Sequence, residues 1–349
     1  MRTLIIPCAG KSSRFPNMKP KWMLTHPDGH LMIEKALPLQ AFSDFDRIVI
    51  TIVKPHIQKY EADLVLTQIF GNRVELCVLD DFTSSASETI ALTVKKMKIT
   101  GSVIIKDSDN FVDFELPEDL CNAIVGLDVN NNSIVNNLPN KSFLILDEQQ
   151  STISDIVEKR IVSNIICLGV YIFSDIQDFM EAYECLKHKD DGELYISNCI
   201  SKILADTGII FGYIQAKHYK DWGTLQEWRI VQLCHTTYFV DVDGVLLVNR
   251  GQYGSLNWNN STEIIEANCK KIAALQTKGA QIVITTARPE KYREKLEAIL
   301  HENGIFPAAI VMGLNHGPRV LINDYSPTNP YPSASAINIL RNTSLEDVL

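Results

Sequence analysis

Short apolar runs alternate with segments of helical periodicity along almost the whole chain, and the alternation restarts once, near Thr237. In the first part Thr3-Leu4-Ile5-Ile6, Arg47 to Val53, Arg73 to Leu79 and Val103-Ile104-Ile105 read as strands. Between them, Leu31 to Phe42, Ile57 to Phe70 and Glu88 to Met97 space their apolar residues as helices do. Strands joined in sequence through helices leave few solutions besides a mostly parallel sheet with helices covering it. The second part repeats the pattern: a strand at Tyr238-Phe239-Val240, a helix from about Glu263 to Lys278, and a strand at Gln281 to Ile284. A helix at Lys291 to Asn303 and strands at Ala309 to Met312 and Val320 to Ile322 complete it. An α/β chain of two domains, 1–235 and 236–349, is therefore expected, and 349 residues are enough for two separate cores. Lys220-Asp221-Trp222-Gly223-Thr224 reads as a polar turn, and the amphipathic run Leu225 to Leu233 that follows it sits just before the join.

Composition narrows the function. The net charge is −9, which argues against a sequence-independent nucleic-acid binder, since that needs a basic footprint. An acidic protein that handles phosphates must concentrate its positive charge locally or borrow it from metal ions. Met1 to Ala9 is too brief and wrongly flanked for a signal peptide, and no stretch approaches the roughly twenty apolar residues of a membrane span. Eight cysteines without CxxC spacing fit reduced thiols better than disulfides or a zinc site. The expectation is a cytoplasmic protein with no membrane partner.

Two strand ends in the first domain carry chemistry. After Ile6 comes Pro7-Cys8-Ala9-Gly10-Lys11-Ser12-Ser13-Arg14-Phe15, whose small side chains let backbone N–H groups approach an anion, and Lys11, Arg14, Lys19 and Lys21 add four cations. The spacing is not that of a P-loop, and a solvated basic loop is the plain alternative. The fourth strand ends in Lys106-Asp107-Ser108-Asp109-Asn110. Two acids one residue apart at a strand end point the same way and suit a hard cation such as Mg2+, though Asp107 could equally cap a turn.

These residues resemble the amino-terminal signature of the nucleoside-triphosphate transferases, a glycine-rich loop ending in Arg14 and followed by Lys19-Pro20-Lys21. Sugar-1-phosphate nucleotidyltransferases and phosphocholine-type cytidylyltransferases belong there. Pro7 and Cys8 replace the usual Leu and Ala, and Ser12 stands where the second glycine would be. The resemblance covers about residues 1 to 233 and implies a GT-A-like, Rossmann-like mixed sheet. It places Ala9, Gly10, Lys11, Ser12, Ser85 and Ala86 at the nucleotide, Arg14 and Lys21 in catalysis, and Glu158, Lys159 and Glu193 at the acceptor. Asp109 and Asp221 would hold Mg2+. Leu168-Gly169-Val170-Tyr171-Ile172-Phe173 matches the family's glycine-led strand.

The second half resembles the haloacid dehalogenase-like phosphatases through Tyr238-Phe239-Val240-Asp241-Val242-Asp243-Gly244. The resemblance makes Asp241 the nucleophile and Asp243 the acid and base. Thr286 would bind the phosphoryl group, and Asp241, Asp243 and Asp324 would hold a second Mg2+. Asn323 replaces a second acid found in many relatives. The phosphate-binding lysine has no clear counterpart; Arg319 is the candidate and Lys291 the runner-up. About forty residues between Asp243 and Thr286 leave little room for a cap, so the small α/β domain should be capless and open. Tyr253 and Trp258, in the loop Asn249 to Asn260, could line its mouth.

The function expected from both resemblances is bifunctional. It joins Mg-dependent nucleotidyl transfer from a nucleoside triphosphate to a phosphorylated sugar or small phospho-alcohol with hydrolysis of a phosphate monoester, in capsule or surface-glycan precursor supply. The alternative is a CTP-specific cytidylyltransferase with a non-catalytic or regulatory second domain. The base, the acceptor and the oligomeric state, a homo-oligomer included, are left open.

Overall fold

The computed structural model describes all residues except 38–42, 119–120, 132–136, 148–150, 189–191, 261, 325–332, 347 and 349. The chain divides into two compact units, Met1–Trp228 and Arg229–Leu349. The division falls inside the helix Leu225–Cys234, a little before the sequence-based boundary at 235. That helix starts at a reciprocal cap: Thr224 Oγ1 accepts the Glu227 N–H at 3.2 Å and Glu227 Oε2 accepts the Thr224 N–H at 3.0 Å.

In chain order the first unit's strands are β1 Thr3–Pro7, β2 Arg47–Val53, β3 Glu75–Leu79, β4 Val103–Lys106, β5 Asn110–Asp113, β6 Ala123–Asp128, β7 Ser142–Leu146, β8 Thr152–Glu158, β9 Ile165–Phe173, β10 Phe211–Gln215 and β11 His218–Asp221. Nine of them form one mixed sheet in the order β3-β2-β1-β4-β9-β6-β10-β8-β7. The first four are parallel, and β9 enters antiparallel between β4 and β6. Both faces are covered. Ile5 belongs to one core cluster and its neighbours Leu4 and Ile6 to the other, all at most 2% exposed. Burial on both sides is why these strands read as continuous apolar runs instead of alternating ones. β5 and β11 form a separate antiparallel ribbon.

Three sequence readings need correction in this unit. The helix expected over Ile57 to Phe70 is two, Lys54–Tyr60 and Ala62–Phe70, because Glu61 between them takes a left-handed φ of 51°. The helix expected over Leu31 to Phe42 runs over Met32–Ala36, and 38–42 lie outside the described residues. Lys220 and Asp221, read as a polar turn, are instead the end of β11.

The second unit holds a parallel sheet of β12 Thr237–Asp241, β13 Gln281–Thr285 and β14 Ala309–Val311, in that order. Helices Glu266–Thr277 and Arg293–Glu302 supply Cys269, Ile272, Leu296 and Leu300 to its core. Val320 to Ile322, expected as a further strand, lies outside this sheet with Val320 81% and Ile322 90% exposed. Apolar β-branched residues favour a strand only where a sheet edge takes up their backbone groups.

Candidate active site

In the first unit, the loop after β1 is set by a turn and two buried anchors. Phe15 donates its N–H to Ser12 O at 2.8 Å, while the Phe15 and Trp22 side chains are buried. Ser12, in the place of a glycine, takes φ 50°, a conformation that costs an L-residue roughly 1–2 kcal/mol. Its hydroxyl offsets part of this by accepting the Lys21 N–H at 3.2 Å, which ties the loop to Lys21. Gly10, Lys11 and Arg14 are exposed, and nothing lies within 4 Å of where a Gly10 Cβ would be, so the backbone there is open to approach. The turn before helix Ala86–Met97 abuts this loop through Thr83 N–H to Ala9 O at 3.2 Å. Ser85 is engaged as that helix's cap, accepting the Glu88 N–H at 3.1 Å, and Ala86 opens the helix.

The ribbon of β5 and β11 brings the two metal-candidate acids together. Asp221 is registered with Asn110, and Trp222 donates its N–H to Asp109 O at 2.9 Å. Both carboxylates converge on Gly223: a Cβ there would lie 3.0 Å from Asp109 Oδ2 and 3.1 Å from Asp221 Oδ1. Lys21 Nζ meets Asp109 Oδ2 at 2.5 Å, and Lys141 Nζ pairs with Asp221 Oδ2. Burial works against the charge on Asp109, yet Lys21 and then Arg14 and Lys141 hold its pKa at about 2. Asp107 goes the other way. Burial, then the charge of Asp109, push it up to about 6. It lies against Gly169, whose φ of +70° and contact with that carboxylate leave no space for a Cβ. Lys106, buried beneath, donates to Asn110 Oδ1 at 2.7 Å and to the Asp107 and Asn110 carbonyls at 2.9 Å, which fixes the turn that aims Asp109.

The acceptor candidates gather around β8. Lys159, at φ 52°, lies 4.3 Å from the Tyr195 ring centroid and bonds its hydroxyl, which in turn donates to Glu193 Oε2 at 2.6 Å. Glu158 is held by the hydroxyls of Ser142 and Ser197, at 2.5 and 2.7 Å. Tyr195, Ser142 and Lys141 were not singled out from the sequence. Tyr195 stands two residues after Glu193, which the resemblance marks, but no motif marks Lys141.

In the second unit Asp241 ends β12, with Arg319 Nη2 at 3.8 Å from its Oδ1 and its side chain 42% exposed. Burial raises its pKa, the Val242 N–H and Arg319 pull it down, and the charge of Asp243 raises it again. Asp243 is fixed. Arg288, 1% exposed, bonds both its oxygens at 3.0 and 2.7 Å, and Asn257 Nδ2 adds a third bond at 3.1 Å. Thr286 is fully buried and its hydroxyl accepts the Arg288 N–H at 3.1 Å. Asp324 lies in an exposed stretch outside the sheet, and among the described residues it forms no three-acid cluster with Asp241 and Asp243. Lys291 faces the Tyr292 ring at 5.2 Å. Trp258 packs on Tyr292 and His316, with centroids at 5.7 and 6.4 Å, while Tyr253 is 94% exposed. The geometry thus places Arg319 beside Asp241 and adds Arg288, two residues after Thr286, which the sequence reading did not single out.

Among the described residues, no cluster of three His, Cys, Asp or Glu side chains suited to a metal occurs, and no helix is long and apolar enough to cross a membrane. The sequence matches no family model, and no curated relative of it is found. Solved structures do resemble the chain. A nucleoside-diphosphate-sugar pyrophosphorylase from Vibrio cholerae RC9 is 22% identical with a TM-score of 0.56, over 65% of this chain and 98% of that one. An inositol-1-phosphate CTP transferase from T. maritima is 15% identical with a TM-score of 0.51, over 66% and 94%. A UDP-glucose pyrophosphorylase complexed with UDP-glucose is 16% identical with a TM-score of 0.51, over 66% and 97%. At these identities the likeness is one of fold: about two thirds of the chain has the mixed α/β architecture of nucleotidyltransferases.

Proposed function

We propose that the first unit transfers a nucleotidyl group from a nucleoside triphosphate to a phosphorylated sugar or small phospho-alcohol. The observation that carries this is the convergence of Asp109 and Asp221 on Gly223, beside Lys21, whose N–H bonds Ser12 of the open, basic loop and whose charge acts on Asp109 together with that of Arg14. The names of the fold neighbours, sugar pyrophosphorylases and a CTP transferase, support the same chemistry. Two carboxylates supply the hard oxygen donors that Mg2+ takes, since it completes its shell with waters and substrate phosphates. Bound there, Mg2+ would draw charge from the phosphate oxygens as the reaction proceeds.

The protein's part is positioning and neutralisation. Lys11, Arg14 and Lys21 take up triphosphate charge, and Lys159 meets the acceptor phosphate. An acceptor phosphate oxygen attacks the α-phosphorus and forms a new P–O–P link. The bond from the α-phosphorus to its bridging oxygen breaks, and pyrophosphate leaves. The test is pyrophosphate release with Mg2+, each nucleoside triphosphate and a panel of sugar phosphates, phosphocholine and inositol phosphate. Asp221→Asn should lower the rate by about a thousandfold. A rate unchanged by that substitution rejects the site.

For the second unit we propose phosphate-monoester hydrolysis at Asp241, supported by its half-open position at a strand end and by Arg319 beside it. Asp241 would take the phosphoryl group, the alcohol would leave with a proton, and water would release inorganic phosphate. Inorganic phosphate release that survives Asp241→Asn would sink that assignment. A second reading, a transferase whose second unit is regulatory, is favoured by one observation: Asp243, the proposed acid and base, already has both oxygens bonded by Arg288. Precursor supply for a capsule or other surface glycan, the setting proposed with these activities, rests on the family resemblance alone.

A further inference from the structure

Lys141 joins the two ends of the first unit's site. Its main chain belongs to the acceptor end: its carbonyl accepts the Lys159 N–H at 3.1 Å, and the next residue, Ser142, is registered with Glu158 and donates to it. Its side chain belongs to the other end. Nζ pairs with Asp221 and lies 3.0 Å from the Tyr219 hydroxyl, at 16% exposure, within the field of Glu227 and Asp109 as well. The lysine stem therefore runs from the place proposed for the acceptor phosphate to the carboxylates proposed to hold the metal.

An ammonium so placed neutralises Asp221 with a single charge, and a divalent cation competes for the same oxygens with two. Lysine is a compact charge on a flexible stem and can leave one partner for another, which the planar fork of an arginine does less readily. We infer that Lys141 is an exchangeable counter-ion: it holds Asp221 before the metal binds, then turns to the acceptor phosphate, giving the attacking group a second cation beside Lys159. The inference rests on the nucleotidyl-transfer reading of this site. It implies an acceptor that attacks through a phosphate dianion and not through a neutral hydroxyl.

The experiment uses the full chain and two probes, Mn2+ alone and inorganic phosphate in the presence of Mg2+. Mn2+ followed by electron paramagnetic resonance should bind Lys141→Met about tenfold more tightly than wild type, because nothing then competes for Asp221. Inorganic phosphate followed by calorimetry should bind that variant about tenfold more weakly. Both shifts are required, and either one missing overturns the inference; a merely structural lysine weakens both or moves neither. If Lys141→Met does not fold, as judged by circular dichroism, Lys141→Gln reads the same two quantities. Turnover separates the two levels. Wild type that makes no pyrophosphate with any acceptor counts against the transfer reading, whereas a working wild type and an unchanged acceptor KM in Lys141→Met counts only against the role of Lys141.

Discussion

Each unit sets a pair of acids at strand ends, and the two pairs are held in opposite ways. In the first, Asp109 and Asp221 lie against the ammonium groups of Lys21 and Lys141, single charges on flexible stems reached from distant segments of the fold. In the second, Asp243 is gripped on both oxygens by a fully buried guanidinium and by Asn257, while Asp241 is held by the Val242 N–H and faces Arg319 at 3.8 Å. Lysine counter-ions can be exchanged for a metal or a phosphate at modest cost. A buried bidentate Arg–carboxylate pair cannot, because withdrawing either partner strands the other in a medium that solvates it poorly. On the proposed roles, the first pair is arranged for exchange, and the second consists of one fixed acid and one open one.

The sharpest way to break this contrast is to remove the fixed cation. Arg288→Met should destabilise the second unit by about 3–5 kcal/mol, because Asp243 is left with its charge largely uncompensated. In a urea titration of the full chain, followed by the environment of Trp258, the second unit should unfold earlier. An unchanged midpoint would show that Asp243 finds water or another partner, and that the pair is no more fixed than the lysine pairs.

A second test turns on two acids that stand one residue apart. Asp107 is raised to about 6, so it holds its proton in the folded state at pH values where the unfolded chain, with an ordinary value of 3.8, has lost it. Its contribution to stability is therefore full below about pH 4 and is lost as pH rises to about 6. Asp109, lowered to about 2, contributes stability above its ordinary value, lost only as pH falls toward 2. The stability difference between wild type and Asp107→Asn should fall steadily from pH 4 to pH 6, measured by denaturant midpoints. A difference independent of pH over that window would mean that Asp107 titrates normally.

The smallest effect belongs to Ser12. Ser12→Ala should cost about 1 kcal/mol, since it keeps the left-handed strain and loses the bond from the Lys21 N–H. Ser12→Gly loses the same bond but relieves the strain, so thermal unfolding should move by less than about 0.5 kcal/mol.

The alternation of strands and helices, its single restart near Thr237 and the acids at strand ends were legible in the chain, because buried parallel strands and helical stripes impose short-range patterns on apolar residues. So was the pairing of Asp109 with Asp221, though only through the family resemblance. What the sequence could not show was decided by contacts between distant segments. Glu61 splits one helix by a single left-handed residue. Val320 to Ile322 carry strand-forming side chains, yet only pairing with another strand would make them one. Lys141 sits in an unremarkable Asn-Lys-Ser stretch, and only the registry of β7 with β8, together with the ribbon of β5 and β11, brings its ammonium to Asp221. Local pattern is set by burial, which each residue reports for itself. The partner of a charge is set by topology, which no single stretch of sequence contains.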